Sequence, residues 1–341
     1  MPDSKSKRPR LTPAIADVRR SVRESFEAVG VKKGDLVLVA CSGGPDSLAL
    51  AAALAFEGPR SGIRAGGVVV DHQMQKGSAD VALRTAETLR GFGLSPVEIK
   101  TVEVGTAGGP EAAARLARYG ALDEVAAEHD ARAVLLGHTL DDQAETVLLG
   151  LARGSGARSL NGMAMHSGRY LRPMLGISRA TTQKFCADSG LSPWLDPMNH
   201  DLRYTRVRVR QTIIPLLEKE LGPGIAEALV RTAEQLREDD LVLAGLAEAA
   251  YARVVTTKAT AIHLDVPGFK ELPLALRHRV IGLAVEVLDA PTFARVHILA
   301  IDELVDHWHG QKPLTLPGIR VERKDEIITL KTTKTLKTGA C

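Results

Sequence analysis

The 341-residue chain has few cysteines, few aromatic side chains, no strong charge of either sign and no long apolar run. Its three cysteines, Cys41, Cys186 and Cys341, stand far apart in sequence. They fit neither a disulfide framework nor a CxxC metal or redox pair, which excludes a disulfide scaffold and a zinc module and points to a reducing compartment. Aromatic residues make up 4%, so a nucleic-acid partner would be read mainly through hydrogen bonds and shape rather than base stacking. Apolar stretches such as Leu48 to Phe56 stop well short of the roughly 20 residues a membrane crossing needs. The start, MPDSKSKRPR, has no apolar signal core, so the expected location is cytoplasmic. Lys plus Arg exceed Asp plus Glu by 44 to 41, and a net charge of +3 is too small to imply nucleic acid, so any basic footprint must be local. There is no GxxxxGK[ST] segment, which excludes the ordinary P-loop NTPases. What remains is ordinary globular usage, 45% hydrophobic and 25% charged, in a chain long enough for two domains and more suggestive of an enzyme than of a lone binding module.

Short runs rich in β-branched residues, at Leu36 to Ala40, Gly66 to Val70, Val97 to Val104 and Ala133 to Leu136, alternate with Ala/Leu-rich helical stretches. That alternation predicts βαβ units and an α/β fold with a Rossmann-like parallel sheet, whose ligands sit just past the carboxyl ends of the strands. After about Pro215 the texture becomes helical, over Ile225 to Val255, Leu272 to Leu288 and Thr292 to Trp308. Leu314 to Leu330 places two β-like runs around a polar turn at Lys324-Asp325, a terminal hairpin. The expected organisation is a basic tail over 1–12, a catalytic domain over 13–217, a helical domain ending in the hairpin over 218–330, and a second basic tail over 331–341.

Two segments carry chemistry. Cys41-Ser42-Gly43-Gly44-Pro45-Asp46-Ser47 follows the first strand and opens the helix of Leu48 to Phe56. Adjacent glycines let backbone approach an anion, and the free N–H groups of a helix start favour negative charge, so the segment suits a phosphate. The plainer account is a tight turn with Asp46 and Ser47 capping a helix. Gly137-His138-Thr139-Leu140-Asp141-Asp142-Gln143-Ala144-Glu145-Thr146 follows the strand at Ala133 to Leu136. Asp142 and Glu145, three apart, share one helix face and could meet one ligand. Here the plainer account is a cap by Thr139 and acids that favour the helix dipole. His297, His307 and His309 do not make a convincing metal site, for no cysteine stands near them.

SGGPDS resembles the pyrophosphate-binding loop of the N-type ATP pyrophosphatases, the PP-loop superfamily, through Ser42, Gly43, Gly44, Asp46 and Ser47. Taken with GHTLDDQAET, the chain is similar to the tRNA(Ile)-lysidine synthetases. Glu111 to Tyr119 resembles that family's E-x-x-A-R-x-x-R-Y helix, Arg153 to Gly156 its RGSG segment, Arg172 to Leu175 its RPLL-like strand, and Trp194 to Arg210 its arginine-rich block. The match runs from about 36 to 217. Met198 and Val207 stand where the family usually has polar side chains, while Asn199 and the arginines remain.

The resemblance implies ATP-dependent ligation of L-lysine to C2 of the wobble cytidine in an isoleucine tRNA with a CAU anticodon, through an adenylated base, releasing pyrophosphate and AMP. It implies ATP and Mg²⁺ as cofactors, with Asp46 and Asp142 for metal and catalysis and Arg118 or Arg115 at the reacting phosphate. Ser42, Gly43, Gly44, Asp46 and Ser47 would hold the pyrophosphate, Asp71 and His72 the adenosine half, and His138 the nucleotide or base. Glu145, with Asp142, would grip the substrate lysine, and Arg203, Arg206, Arg208, Arg210 and Arg153 would meet tRNA phosphates. Trp194 is a candidate stacking platform. Whether two chains form a homodimer is left open. Another PP-loop tRNA-modifying enzyme is the near alternative, although a thiolating one is expected to carry paired cysteines; a tRNA-binding protein with a non-catalytic nucleotide site is the more distant one.

Overall fold

The computed structural model describes residues 11–333 except 74, 76, 106–108, 155, 259–260 and 291–292. Most of the two basic tails and Ser155 of the RGSG match therefore lie outside the described residues. These fall into two compact units, one holding the chain up to Gly154 and Ser159–Ala233, the other 156–158 and Glu234 onward.

The first unit opens with α1 (Pro13–Ala28), which the composition does not announce. Ile15, Val18, Val22 and Phe26 recur at helical spacing and are buried, and Thr12 caps the helix by accepting from the Ile15 N–H. There follow β1 (Leu36–Ala40), α2 (Pro45–Arg60), β2 (Arg64–Asp71), α3 (Ser78–Gly91), β3 (Val97–Thr101), α4 (Pro110–Glu128), β4 (Ala131–Leu135) and α5 (Leu140–Ala152). All four expected strands are present. After the single turn α6 (Ala157–Leu160) come the two-residue strands β5 (His166–Ser167) and β6 (Tyr170–Leu171), then α7 (Arg179–Asp188), α8 (Thr205–Arg208) and α9 (Ile214–Leu221). The RPML segment, expected as a strand, is instead the turn after β6, for the strand ends at Leu171.

The sheet order is β3-β2-β1-β4-β6-β5, parallel except for β5 against β6. The β1 strand is buried on both faces, which is why it reads as an unbroken apolar run. Val37 and Val39 pack with α1, α2 and α7, while Leu36 and Leu38 pack with Leu122 and Val125 of α4. The chain reverses its direction of build between β1 and β4, and in such sheets the crevice beyond those two strands is the ligand position.

The second unit begins within α10 (Ile225–Val254) and continues through β7 (Val255–Lys258), β8 (Ala261–Asp265), α11 (Val266–Lys270), α12 (Leu274–Val287), α13 (Arg295–Asp306), β9 (Leu314–Leu316), β10 (Ile319–Lys324) and β11 (Ile327–Thr332). The division falls after residue 217 because Glu218 of α9 accepts from the N–H groups of Gly224 and Ala226, tying the start of α10 to α9. The terminal hairpin is β10 and β11, but it sits inside a five-stranded antiparallel sheet ordered β7-β8-β11-β10-β9. Lys331 and Thr332, read as tail, are the last residues of β11. Phe269, Val280, Ile281, Ile301 and Leu304 cover that sheet's apolar face at Ile262, Leu264, Val321 and Leu330.

Candidate active site

The glycine loop lies between β1 and α2. Gly43 sits at φ +83, and a Cβ there would meet Thr85 Oγ1 at 2.6 Å, so both backbone and space demand glycine. The Ser47 hydroxyl closes the loop by accepting from the Ser42 N–H at 3.2 Å and donating to the Gly44 carbonyl at 3.1 Å. Gly44 is the N-cap of α2 and supplies no side-chain cap, so the first-turn N–H groups at the positive end of the helix are left for a ligand. A Cβ at Gly137 would come within 3.1 Å of Ser47 backbone, so glycine there lets the end of β4 approach the loop.

Thr139 and Asp142 form a capping box at the start of α5, which bears out the plainer account of that helix. The acid nevertheless has a second task. Asp142 Oδ2 accepts from Thr139 N–H at 2.9 Å, while Oδ1 accepts from Arg179 at 2.8 Å and Arg210 at 3.2 Å. Burial would raise the Asp142 carboxyl; Arg179, the Thr139 N–H and Arg210 overcome it and hold it below the usual carboxylate range. Asp46 goes the other way. Its carboxylate accepts from the Thr182 hydroxyl and faces Arg179 Nε at 3.5 Å, yet burial prevails and pushes it above the ordinary range. Asp141 turns from the site and accepts from the backbone N–H of Arg179 at 2.7 Å.

Glu145 is fully buried and ringed by guanidiniums: Arg210 at 2.6 Å, and Arg206 and Arg179 at 3.5 Å each. Arg206 also donates to Thr146 Oγ1 at 2.8 Å. Residues 203–210 intersperse arginines with uncharged side chains, yet they form no strand. They run into α8 and a π-helical turn at Val209–Ile213, so Arg206 and Arg210, four apart, turn toward α5 together. Arg208 donates to the carbonyls of Leu202 and Arg203, and Arg203 forks onto Asp201.

A cavity of about 530 Å³ opens at this end of the sheet, lined by Ser42, Gly44, Asp46, Ser47, His72, Arg118, His138, Asp142 and Arg210 among the residues expected from sequence. Of these, His72 Nδ1, His138 Nδ1 and Arg118 Nε are buried without a hydrogen-bond partner. Burial, opposed by Asp142 and reinforced by Arg118 and Arg172, pushes His138 down to about 3, so its ring is neutral at neutral pH. Burial and the charge of Arg118 lower His72 as well. A second cavity of about 770 Å³ shares His72 and Arg118 with the first and is lined by Arg115, Arg153 and Arg206. Glu145, Asp71, Arg203 and Arg208 line neither cavity, and Gly43 lines neither while accepting at its carbonyl from Trp194 N–H. Asp71 is buried at the end of β2, where its carboxylate accepts from Gln73 N–H, a strand-end turn.

Sequence reasoning missed Arg179 and Thr182. Both lie on α7, more than 130 positions from Asp46, and no local spacing marks them. For Mg²⁺, no group of three or more His, Cys, Asp or Glu is arranged to hold a metal ion among the described residues. Asp46 and Asp142 fit the sparser demand of Mg²⁺ carried on a nucleotide, which takes one or two carboxylates beside phosphate oxygens and water.

A family model described as the PP-loop domain matches residues 16–217, and one described as the TilS substrate binding domain matches 264–326. The chain is 57% identical to a tRNA(Ile)-lysidine synthase of Leifsonia xyli, over 87% of this chain and 90% of that one. It is 52% identical to another of Thermobifida fusca, over 92% and 96% respectively. Among solved structures it resembles the U34-tRNA thiolase NcsA of Methanococcus maripaludis with its [4Fe-4S] cluster, at TM-score 0.55 and 21% identity, over 66% of this chain and 80% of that one, a likeness of fold alone. The glycine loop, the acidic α5 and the parallel sheet that joins them thus stand in a chain that belongs to the tRNA(Ile)-lysidine synthase family.

Proposed function

We propose that the first cavity takes ATP, its pyrophosphate half against Ser42 to Ser47, and that the chain uses it to join L-lysine to the wobble cytidine of tRNA(Ile). The observation that carries this is the convergence on one cavity of an uncapped helix start, two carboxylates and three buried nitrogens without a hydrogen-bond partner, His72 Nδ1, His138 Nδ1 and Arg118 Nε. An ATP-dependent ligase that modifies tRNA, the activity that goes with this family, needs each of these.

The cytosine C2 carbonyl is a weak electrophile, so its oxygen has to become a leaving group. Attack of O2 on the α-phosphorus forms an adenylate and releases pyrophosphate, and the lysine amine then displaces AMP at C2. The loop N–H groups and the α2 dipole stabilise charge on the departing pyrophosphate. Asp46 and Asp142 would hold Mg²⁺, which supplies charge neutralisation on phosphate oxygens when bound. Arg118, with Arg115 nearby, supplies guanidinium for the reacting phosphate, and neutral His138 and His72 offer ring nitrogens to the nucleotide or base. For Glu145 or Asp142 to hold the lysine ammonium, an arginine now bonded to it has to give way. Arg153, Arg203, Arg206, Arg208 and Arg210 supply tRNA phosphate contacts in this reading, supported by the placement of Arg153 and Arg206 in the second, basic cavity.

The test mixes the protein with ATP, Mg²⁺, lysine and a tRNA(Ile) transcript bearing CAU. AMP release matched by a lysine mass gain on the wobble cytidine is expected. AMP release without base modification, or equal product on a methionine tRNA, would overturn the assignment.

A further inference from the structure

We propose that Arg179 is a positioning residue that sets the cavity carboxylates in place and yields its position to the cations of the reaction. This rests on the reading that the cavity takes ATP. Arg179 begins α7 and reaches three carboxylates from one guanidinium: Asp142 at 2.8 Å, Asp46 at 3.5 Å and Glu145 at 3.5 Å. It is the one of the three arginines that bridges the glycine-loop helix α2 to the acidic helix α5. Arg206 and Arg210 bond Glu145, Thr146 and Asp142 of α5, Arg206 also lying 3.9 Å from Glu111 of α4, and neither bonds α2.

Asp46, Asp142 and Glu145 face Arg179, Arg206 and Arg210, and Glu111 stands 3.9 Å from Arg206, so every carboxylate of the cluster already has a guanidinium partner. In a largely buried cluster whose carboxylates are already paired, a further cation competes with the guanidiniums for the same oxygens. Arg179 is built to give way. Its backbone N–H is pinned by Asp141 at 2.7 Å, so the base of the side chain stays fixed while the flexible stem carries the guanidinium. Its contacts to Asp46 and Glu145 are the long ones, at 3.5 Å each, and Thr182 continues to hold the Asp46 carboxylate when the arginine leaves. A divalent cation joining Asp46 to Asp142 meets Arg179 first, and the freed guanidinium carries the right charge and fork for a phosphate.

The experiment titrates Mn²⁺ alone into wild type, Arg179→Gln and Arg179→Lys, following the ion by electron paramagnetic resonance, with circular dichroism melts to establish folding. Removing the competing charge should tighten Mn²⁺ binding about tenfold in Arg179→Gln, whereas Arg179→Lys, which keeps the charge, should stay within about threefold of wild type. A residue with a merely structural part would loosen the site when lost. Unchanged or weaker Mn²⁺ binding in a folded Arg179→Gln, with an ATP analogue still bound, would overturn the exchange and leave the ATP reading intact; loss of analogue binding by wild type would instead remove that reading. If Arg179→Gln does not fold, the wild-type Nε–H resonance that disappears in Arg179→Lys should shift on adding Mg²⁺ and ATP, and a resonance that stays put overturns the proposal.

Discussion

Asp142 divides its work between its two oxygens, one closing the cap of α5 and one facing Arg179 and Arg210. Asp142→Asn keeps an acceptor for the Thr139 N–H but takes a charged partner from Arg179 and Arg210, so it should cost about 1–3 kcal/mol of stability while lowering AMP release by at least about a hundredfold. A denaturant melt and a turnover assay check the two halves. His138 supplies a pH prediction. Its folded form refuses a proton down to about 3, whereas the unfolded chain titrates at the ordinary 6.5. The unfolded state therefore binds more protons between those values, and stability falls as pH drops below about 6.5 and is unaffected above it. His138→Gln should flatten the fall of melting temperature between pH 7 and 5, leaving other titrations to shape what remains. At this scale the sequence shows the acids, because helix spacing and a glycine turn mark them. It hides Arg179 and Thr182, which reach Asp46 only through the packing of α7 on α2.

Elements were more legible than their boundaries. The buried strands β1, β2 and β4 announce themselves as apolar runs since both sheet faces are covered. The arginine-rich stretch misleads: Arg206, Val207, Arg208, Val209 and Arg210 alternate along the chain yet form helix, so Arg206 of α8 and Arg210 of the π-turn face α5 while Arg208 bonds backbone carbonyls nearby. The loop gives a paired test of the backbone argument. Gly43→Ala forces a left-handed residue against Thr85 and should destabilise by about 1–2 kcal/mol from the backbone alone. Gly44→Ala has extended backbone and meets only Ser42 Oγ at 3.6 Å, so its stability should stay within about 0.5 kcal/mol of wild type. Equal melting of the two variants would contradict the assigned geometry.

On the scale of the whole molecule, two units have separate cores, and they should lose structure separately. Arg277 is buried in the second unit, where it bonds Asp302 at 2.7 Å and Asp306 at 2.9 Å and so fastens α12 to α13. Arg277→Met leaves the largely buried Asp302 with only His278, at 3.7 Å, and should lower the stability of that unit by about 3 kcal/mol while ATP-analogue binding to the first is retained, which calorimetry and a binding titration check together. The five-stranded sheet of that unit was only partly readable. Its hairpin has the alternation of a half-buried pair, but β7 is the exposed, polar edge Val255–Lys258, whose sequence looks like the end of a helix. The central claim, that the loop at Ser42 to Ser47 receives the pyrophosphate half of ATP, is tested most directly by a crystal structure with a non-hydrolysable ATP analogue and Mg²⁺. The β- and γ-phosphates should lie against the start of α2, within hydrogen-bond distance of its first N–H groups; phosphates bound elsewhere, with the loop closed on its own side chains, would contradict it.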